Sequence, residues 1–537
     1  MPNHSPPSRS HNAADWTARW AEIAGDRVAL VDAERRLDYA GLEDRVARCA
    51  GMLAAAGVGR GDRVALLLGN RSGYVESVLA AARIGAIAVP VNARFTAREV
   101  CILLDDCTPR LLLHEEQFAS VASTACREAR RPPLGLCCPG EYERCLAQAV
   151  PISDSVPVAP DDPMLLLYTS GTTGVPKGAL LPHRKTLYNS LNAQVFFGIH
   201  AEDRVLVALP LFHSFGLCIL TLPALYAGAR VHLEPRFDAQ RVWERVSSEQ
   251  ITYLGGVPTQ LAGLLAALKS GASTAGTGSL RFLFGAGAAV PVEQIRAFQA
   301  QGIVLKQGFG QTETSILYCL DDRDALPKAG SVGLPVVHAE VRVVQLPDLD
   351  GPTQGWRDVP AGEAGEIVVR GPITMLGYWK RPEATAETLR GEWLRTGDLA
   401  TRDEEGYVTL CGRARDLYIS GGENVYPAEV EAVYAGHPQI AEIAVVGVPD
   451  ERWGEVGHAY VVPRNLREDL DGTDALRAWG RERLAAFKLP VRFLAASSLP
   501  RTATGKVQKH RLSQTKVGVD GAVGAPRSAP VPDDGAW

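Results

Sequence analysis

The sequence predicts an α/β protein with a large N-terminal domain of parallel sheets, a small β subdomain and a small α+β C-terminal domain. Short apolar runs without polar alternation, separated by helical patterns, continue to about residue 307. This order is typical of βαβ units whose strands are buried on both faces. Beyond about residue 335 the apolar runs become shorter and alternate with polar residues, which indicates antiparallel strands. At 537 residues the chain exceeds one ordinary core, so we expect two or more domains.

The elements of the N-terminal part follow a polar segment, residues 1–13, that we predict to be disordered. A helical stretch is predicted to end near residue 83, and the region 120–160, which has weak periodicity, is expected to cover the surface. The predicted strands are 27–31, 63–68, 86–91, 205–209, 230–233, 251–254, 280–284 and 303–307, and the other predicted helices are 39–56, 239–249, 258–269 and 291–301.

The C-terminal part is predicted to contain an antiparallel subdomain and then a separate α+β unit of about a hundred residues, the size of an independent domain. Residues 515–537 are rich in glycine, alanine and proline, so we predict a disordered tail. The predicted strands are 340–344, 366–370, 406–410, 417–420, 443–446, 459–462 and 491–494, and the predicted helix is 474–486.

Composition excludes several classes of protein. Apolar residues make up 46% of the chain and charged residues 22%, which is the balance of a globular protein. The formal net charge of −5 gives no support to nucleic-acid binding, whose electrostatic footprint is basic. The ten cysteines form no CxxC pairs, which favours reduced thiols in the cytoplasm. The uncharged stretch 205–229 is long enough for a membrane span, but its Pro210, Gly216 and Pro223 favour a buried strand, loop and helix, so we expect no integral membrane association.

The segment 164–178, MLLLYTSGTTGVPKG, is the most informative part of the chain. Glycine lets a backbone approach an anion closely, hydroxyl and N–H groups donate to phosphate oxygens, and Lys177 supplies a positive charge. The pattern predicts a polyphosphate-binding loop, with a polar surface loop between a strand and a helix as the alternative. A Walker A loop does not fit, because Pro176 precedes Lys177 and Gly178 follows it.

Two turns after predicted strands also carry candidate ligand-binding residues. In FLFGAGA, residues 282–288, small residues leave room for a flat ligand at the carboxyl end of a parallel sheet, with a tight turn into the next helix as the alternative. In QGFGQTETS, residues 307–315, Phe309 could stack on a base and Thr312 could donate to a phosphate. Glu313 could hold Mg²⁺, which prefers carboxylate and phosphate oxygens.

Three later segments complete the set of motifs. In WLRTGDLA, residues 393–400, Asp398 could accept from both hydroxyls of a ribose, with an Asx-turn residue, common after glycine, as the alternative. The segment 412–433, GRARDLYISGGENVYPAEVEAV, places arginines before a strand, a glycine pair and a helix that begins at a proline. In LPRTATGKVQKHRL, residues 499–512, Lys506 follows a Thr-Gly pair, and its local sequence alone indicates a solvated surface lysine.

The order of these motifs resembles that of the adenylate-forming superfamily, which includes acyl- and aryl-CoA synthetases, luciferases and adenylation domains. The resemblance covers residues 15–512 and rests on YTSGTTGVPKG, GFGQTET, RTGDLA, GRARDLYISGGENVYPAEVE and PRTATGK. It implies that a carboxylate attacks the α-phosphorus of ATP to give an acyl-adenylate, and that a thiol then displaces AMP. ATP, Mg²⁺ and coenzyme A are the cofactors that it implies.

The resemblance also implies residue roles in the first half-reaction. Lys506, Glu313, Thr312 and His213 would be catalytic, with Glu313 binding Mg²⁺ and Lys506 bridging the carboxylate and the α-phosphate. The implied ATP-binding residues are Thr169, Ser170, Gly171, Thr172, Thr173, Gly174, Lys177, Gly287, Ala288, Phe309, Thr312, Asp398, Arg413 and Lys506.

For the second half-reaction the resemblance implies that a C-terminal domain, residues 417–514, rotates against an N-terminal domain, residues 14–412. The hinge would span 413–416 and turn about Arg415, where relatives often carry Asp or Lys. In the rotated state Gly421 and Gly422 would line the tunnel for the thiol arm. Trp453 would contact the coenzyme A nucleotide.

The implied acyl pocket comprises Phe212, His213, Phe215, Val257 and Gly285. The pocket segments contain no aspartate to pair with an amino group, and a buried unpaired ammonium is costly, so amino acids are disfavoured. They contain no arginine for a second carboxylate either, which leaves an apolar acid. His213 resembles the family's aromatic gate next to the carboxylate, and a hydrogen-bonded core histidine is the alternative.

We therefore expect an acyl-CoA ligase for an apolar carboxylic acid, with a medium- or long-chain fatty acid first and an aryl acid second. Coenzyme A is the expected acceptor, because residues 515–537 are too short for a carrier domain, and an enzyme that loads a separate acyl carrier protein is the alternative. A nucleotide-binding regulatory protein and a luciferase-like oxygenase are further alternatives. The first is disfavoured by the motif residues Glu313, Asp398 and Lys506.

Overall fold

The computed structural model describes residues 12–169, 176–270, 277–421, 423–465, 472–501 and 507–514. The chain divides into two compact units. The first comprises Met1–Thr396 with Thr401–Leu410, and the second comprises Gly397–Ala400 with Cys411–Trp537.

The described chain contains strands in both units, and those of the first unit alternate with helices, as the sequence pattern predicts. The strands are β1 (Val28–Val31), β2 (Arg36–Asp38), β3 (Arg63–Leu67), β4 (Ile87–Pro90), β5 (Leu111–Glu115), β6 (Leu134–Cys138), β7 (Pro163–Thr169), β8 (Lys177–Pro182), β9 (Arg204–Val207), β10 (Arg230–Leu233), β11 (Tyr253–Gly256), β12 (Phe282–Gly285), β13 (Leu305–Gln311), β14 (Ser315–Cys319), β15 (Leu334–Pro335), β16 (Glu340–Val344), β17 (Ala364–Arg370), β18 (Gly377–Tyr378), β19 (Leu389–Arg390), β20 (Trp393–Arg402), β21 (Val408–Arg413), β22 (Tyr418–Ser420), β23 (Glu423–Val425), β24 (Ile440–Asp450), β25 (Gly454–Pro463) and β26 (Arg492–Ala495).

The helices are mostly short, and a π-helix (Phe215–Thr221) precedes the eighth of them. They are α1 (Ala14–Ala24), α2 (Tyr39–Ala55), α3 (Ser72–Arg83), α4 (Ala97–Cys107), α5 (Ala119–Glu128), α6 (Gly140–Gln148), α7 (His183–Phe197), α8 (Leu222–Tyr226), α9 (Ala239–Ser248), α10 (Pro258–Lys269), α11 (Val292–Gln299), α12 (Pro382–Thr388), α13 (Pro427–Ala435), α14 (Thr473–Arg481) and α15 (Lys509–Gln514).

Two large sheets form the body of the first unit. In one, the described strands lie in the order β15-β14-β13-β12-β11-β9-β10-β1-β2, and the central neighbours from β13 to β1 are parallel. In the other the order is β18-β8-β7-β4-β3-β5-β6, with parallel pairing from β7 to β6. Every residue of β4 and of α3 is buried, and β4 accordingly forms a continuous apolar run. The predicted parallel α/β architecture is confirmed.

The small β subdomain is antiparallel, as predicted. Its strands follow the order β16-β17-β20-β19, and Glu340 of β16 pairs with Arg370 of β17. In the second unit the order is β23-β22-β25-β24, and β26 joins β25 in parallel. Tyr418, Val430, Tyr434 and Val461 belong to the core of this unit. The second unit is therefore an α+β unit.

Three parts of the first unit bear on the sequence predictions. The region 120–160 contains most of α5, and all of β6 and α6, with β6 parallel to β5, rather than a mere surface cover. Its periodicity is weak because α5 buries Ala122 and Ala125 and α6 buries Tyr142 and Leu146.

The N-terminal segment that we predict to be disordered includes Asn12 and Ala13, which are buried. Asn12 Nδ2 donates to Ala82 O at 2.6 Å. The uncharged stretch 205–229 forms the end of β9, the π-helix and α8. Across the described ranges, the helices fall short of the length and apolarity that crossing a bilayer requires.

Candidate functional site

The predicted phosphate loop joins two antiparallel strands, β7 and β8. Thr169, the last residue of β7, pairs with Lys177, the first residue of β8, and Thr169 Oγ1 donates to Lys177 O at 3.3 Å. The loop therefore leads into a second strand, and α7 begins only after that strand. The predicted loop residues Ser170, Gly171, Thr172, Thr173 and Gly174 lie outside the described residues.

Lys177, at the start of β8, lies close to Tyr378 and through it to Glu313. Tyr378 belongs to β18, which pairs with β8, and the Lys177 ammonium lies 5.3 Å from the centre of the Tyr378 ring. The Tyr378 hydroxyl donates to Glu313 Oε1 at 2.9 Å. Tyr378 is therefore a site residue that sequence reasoning missed. Its strand has only two residues, too short for a periodic signal.

Thr312 and Glu313 occupy the turn between β13 and β14. Thr312 Oγ1 lies 3.4 Å from Ser214 Oγ, which brings the turn next to the predicted acid-binding segment. A Cβ at Gly310 would lie 1.9 Å from the carbonyl oxygen of Ser315, so only glycine fits at that position. Ser315 itself has a left-handed backbone, with φ of 64°. Phe309, the predicted adenine contact, lies opposite Tyr318 in the same hairpin.

The acid-binding segment 212–215 is half-buried at Phe212 and His213 and fully buried at Phe215. The Phe215 N–H donates to His213 Nδ1 at 3.1 Å, so the proton of the neutral imidazole lies on Nε2. The Phe215 ring meets Phe284 edge to face, with centroids 5.7 Å apart. A Cβ at Gly255 would lie 3.0 Å from the Phe215 ring, which explains a glycine there.

Asn70 fixes the backbone that leads into this segment. Its Nδ2 donates to Leu209 O at 2.9 Å and to Glu234 O at 3.0 Å, and its Oδ1 accepts from Leu211 N–H at 2.9 Å. Asn70 is far from the segment in sequence, and nothing in the local pattern around it indicates this role. It is a second residue that sequence reasoning missed.

The remaining predicted pocket residues lie at the carboxyl ends of β11 and β12. Gly285 is buried, and a Cβ there would lie 2.7 Å from Val290 Cγ2, so this glycine is required for close packing. Gly287, with φ of 87°, and Ala288 lie in an exposed turn. The Cβ position of Gly287 lies 3.3 Å from Val257 Cγ1. The structure thus places the predicted adenine contact Gly287 next to the predicted pocket residue Val257.

In the second unit, Asp398 forms an ion pair with Arg413. Arg413 Nε lies 2.8 Å from Asp398 Oδ1, and the Asp398 side chain is 8% exposed. Arg415, the predicted hinge residue, is 56% exposed and lies 3.6 Å from Asp416 Oδ1. The predicted ribose-binding pair is therefore brought together, and the hinge side chain faces solvent.

The predicted coenzyme A residues Gly421 and Trp453 are also neighbours in the second unit. Gly421 has φ of 61°, and its N–H donates to Trp453 O at 2.9 Å. Arg452, which sequence reasoning did not single out, lies 4.9 Å over the Trp453 ring. Gly422 and Lys506 lie outside the described residues.

Comparisons with known proteins identify the family. The profile of the AMP-binding enzyme family matches residues 17–379, and that of the AMP-binding enzyme C-terminal domain matches residues 429–506. The chain is 41% identical over 503 residues to a feruloyl-CoA synthase of an Amycolatopsis species, covering 93% of this chain and 98% of that protein. It is 40% identical over 514 residues to an indoleacetate–CoA ligase of Aromatoleum aromaticum, covering 93% and 97%.

A solved structure agrees with these relatives. The o-succinylbenzoate CoA synthetase of Bacillus subtilis, in complex with its acyl-adenylate intermediate, superimposes with a TM-score of 0.83 at 31% identity. The match covers 94% of this chain and 98% of that chain. The chain therefore belongs to the AMP-binding enzymes of the adenylate-forming superfamily, and it is an AMP-forming acid–thiol ligase of the CoA ligase class.

Proposed function

We propose that this enzyme is a CoA ligase for an aromatic carboxylic acid, in place of the fatty acid that the sequence alone placed first. The observation that carries this proposal is the aromatic, uncharged character of the predicted acid-binding segment, in which Phe212 and His213 are half-buried and the Phe215 ring packs edge to face on Phe284. Its support comes from the feruloyl-CoA and indoleacetate relatives, which match the chain over nearly its whole length.

The reaction proposed for this site has two steps. The substrate carboxylate attacks the α-phosphorus of ATP, and pyrophosphate leaves. The coenzyme A sulfur then attacks the acyl carbon of the adenylate, and AMP leaves. Because both reactants of the first step are anions, the protein has to position them and to supply positive charge, and it needs no covalent nucleophile.

In the first unit, Lys177 and Thr312 would donate to phosphate oxygens, and Phe309, Gly287 and Ala288 would line the adenine. Glu313 fits a Mg²⁺ ligand, because its carboxylate is half-buried and is oriented by the Tyr378 hydroxyl. Bound Mg²⁺ supplies neutralising charge at the phosphates. Within the described ranges no cluster of three or more His, Cys, Asp or Glu side chains could hold a metal, so phosphate oxygens would complete its shell.

In the second unit, Asp398 would accept from the ribose hydroxyls, and its partner Arg413 would contact the ribose and phosphate side. Lys506 would bridge the carboxylate and the α-phosphate. For the thiol step, rotation about Arg415 would bring Gly421 and Gly422 to the thiol arm, and Trp453 to the nucleotide of coenzyme A.

A substrate panel tests the proposal. The enzyme is given ATP and Mg²⁺ with ferulate, coumarate, cinnamate, benzoate, indoleacetate or saturated acids from acetate to stearate, and AMP and thioester are measured by mass spectrometry. Each acid is tested with coenzyme A, with a holo-acyl carrier protein and with neither. We expect thioester with coenzyme A and aromatic acids. Turnover confined to saturated acids would reject the aromatic substrate, and adenylate that reaches only the carrier would reject coenzyme A as acceptor.

A further inference from the structure

Two buried polar side chains of α7, Lys185 and Asn189, face the turn that carries Thr312 and Glu313. They are one helical turn apart, and their residues are 2% and 1% exposed. The Lys185 ammonium donates to Ser315 Oγ, at the end of that turn. Neither residue belongs to a motif that the sequence analysis singled out.

Asn189 connects the same turn to the π-helix. Its Oδ1 accepts from Ile316 N–H at 3.3 Å, and its Nδ2 donates to Cys218 O at 2.6 Å. Cys218 belongs to the π-helix that begins at Phe215, two residues after His213. Lys185 and Asn189, which we call the α7 brace, therefore both hold the Glu313 turn, and Asn189 also links it to the π-helix.

The brace retains two features that oppose folding. A buried ammonium loses its hydration, and burial lowers the pKa of Lys185 to about 8. Ser315 has φ of 64°, a conformation that disfavours residues other than glycine. Methionine would fill the volume of Lys185 without the charge, and glycine would relieve Ser315. Unfavourable features of this kind cluster at functional sites.

We propose that Lys185 is a positioning residue for the adenylation step, because its hydrogen bond holds Ser315 in the left-handed conformation that presents Thr312 and Glu313 to ATP. Asn189 keeps the same turn in register with the acid-binding segment. The proposal rests on the roles proposed above for Thr312 and Glu313. It gives α7 a positioning role in adenylation, although none of the sequence motifs lies on this helix.

The first test is Lys185→Met. We expect the rate of adenylate formation to fall about tenfold to a hundredfold, as expected when reacting groups are misplaced by about 1 Å. Thioester formation from supplied acyl-adenylate should be unchanged, and Tm should be equal or higher because a buried charge is removed. A matched control is Lys306→Met, which also removes a buried lysine, one bonded to Phe196 O at 2.9 Å, and should leave adenylation unchanged.

The second test is rescue. If Lys185 acts by holding the backbone of Ser315, then Lys185→Met combined with Ser315→Gly should regain most of the adenylation rate, because glycine adopts positive φ unaided. A double variant as slow as Lys185→Met would overturn this mechanism, as would a Lys185→Met enzyme with normal adenylation. Glu313→Gln distinguishes failure of the proposed site from failure of the brace. If Glu313→Gln leaves adenylation intact, the role proposed for Glu313 is wrong. If Glu313→Gln slows adenylation and Lys185→Met does not, only the role proposed for the brace is wrong.

Discussion

At the scale of single residues, the Glu313 carboxylate depends on a side chain that is distant in sequence. The Tyr378 hydroxyl donates to it, and the Tyr378 ring faces Lys177, so one residue contacts both the candidate metal ligand and the candidate phosphate ligand. A hydrogen bond to a charged group contributes roughly 1.5–3 kcal/mol. Tyr378 is therefore a candidate for orienting Glu313.

Tyr378→Phe removes the hydroxyl and keeps the ring over Lys177. We expect adenylate formation to slow by about tenfold, the equivalent of about 1.4 kcal/mol, because Glu313 loses its orienting donor. Pyrophosphate exchange measures this rate. Tyr407→Phe is a matched control, because it removes a tyrosine bond to Asp324 Oδ2 at 2.7 Å elsewhere in the first unit. Equal rates in the two variants would exclude the orienting role.

His232 governs a different property, the dependence of stability on pH. It is buried in β10, and burial together with Arg230 lowers its pKa to about 3. Glu249 Oε2 lies 4.0 Å from Nε2, too far for a hydrogen bond. Below pH 6.5 the unfolded chain takes up a proton that the folded chain does not, so stability falls as pH falls from about 6.5 towards 3.

His232→Leu should remove this contribution. We expect the free energy of unfolding of the variant to depend less on pH between 6.5 and 4, by up to about 1.4 kcal/mol per pH unit. Urea unfolding at several pH values measures the difference. His200→Gln is the control, because His200 is 55% exposed. If the free energy of unfolding depends on pH equally in His232→Leu and in the wild-type enzyme, His232 does not cause the loss of stability at low pH.

At the scale of elements, most strands of the two sheets are predictable because runs such as β4 are buried throughout and read as continuous apolar segments. The helix α6 escapes prediction because only Tyr142 and Leu146 of it are buried. The residues of the candidate site likewise divide into those that the sequence predicts and those that it does not. Lys177, Thr312 and Glu313 lie in contiguous motifs, whereas Tyr378 and Lys185 reach the site through tertiary contacts that no local pattern records.

The β13–β14 hairpin is predicted to tolerate no side chain at Gly310. Gly310→Ala would place a Cβ 1.9 Å from the Ser315 carbonyl oxygen, and this backbone atom cannot rotate away. We expect a loss of about 1–3 kcal/mol in stability and a loss of adenylation, because the Glu313 turn has to shift. Thermal unfolding and pyrophosphate exchange measure the two effects. Gly355→Ala is the control, because a Cβ there meets nothing within 4 Å. A Gly310→Ala enzyme as stable as this control would contradict the packing argument.

At the scale of the whole molecule, two units are expected to serve two half-reactions in turn. The described residues divide near residue 410, where the family resemblance expects a hinge at 413–416. The residues proposed for the thiol step, Gly421 and Trp453, belong to the second unit. Rotation would then let one unit present different faces to a single adenylate.

This proposal predicts opposite effects from two substitutions. Lys506→Ala should reduce adenylate formation by about a hundredfold or more, since it removes one electrostatic donor, and should spare thioester formation from supplied acyl-adenylate. Gly422→Leu should spare adenylate formation and block the thiol arm. Single-turnover assays of each half-reaction distinguish them, and equal loss of both halves in either variant would reject the division of roles.

The packing of Phe215 also bears on how this enzyme could evolve new substrates. The Phe215 ring, which we propose as part of the acid site, is buried against Phe284, and a Cβ at Gly255 would lie 3.0 Å from it. A mutation that reshapes the site at Phe215 therefore also opens a cavity in the core, which costs about 3–5 kcal/mol for a phenylalanine truncated to alanine. Val257 and Ala288, which are half-buried and exposed, carry no such penalty. We expect selection for acids of different size to change these two positions first.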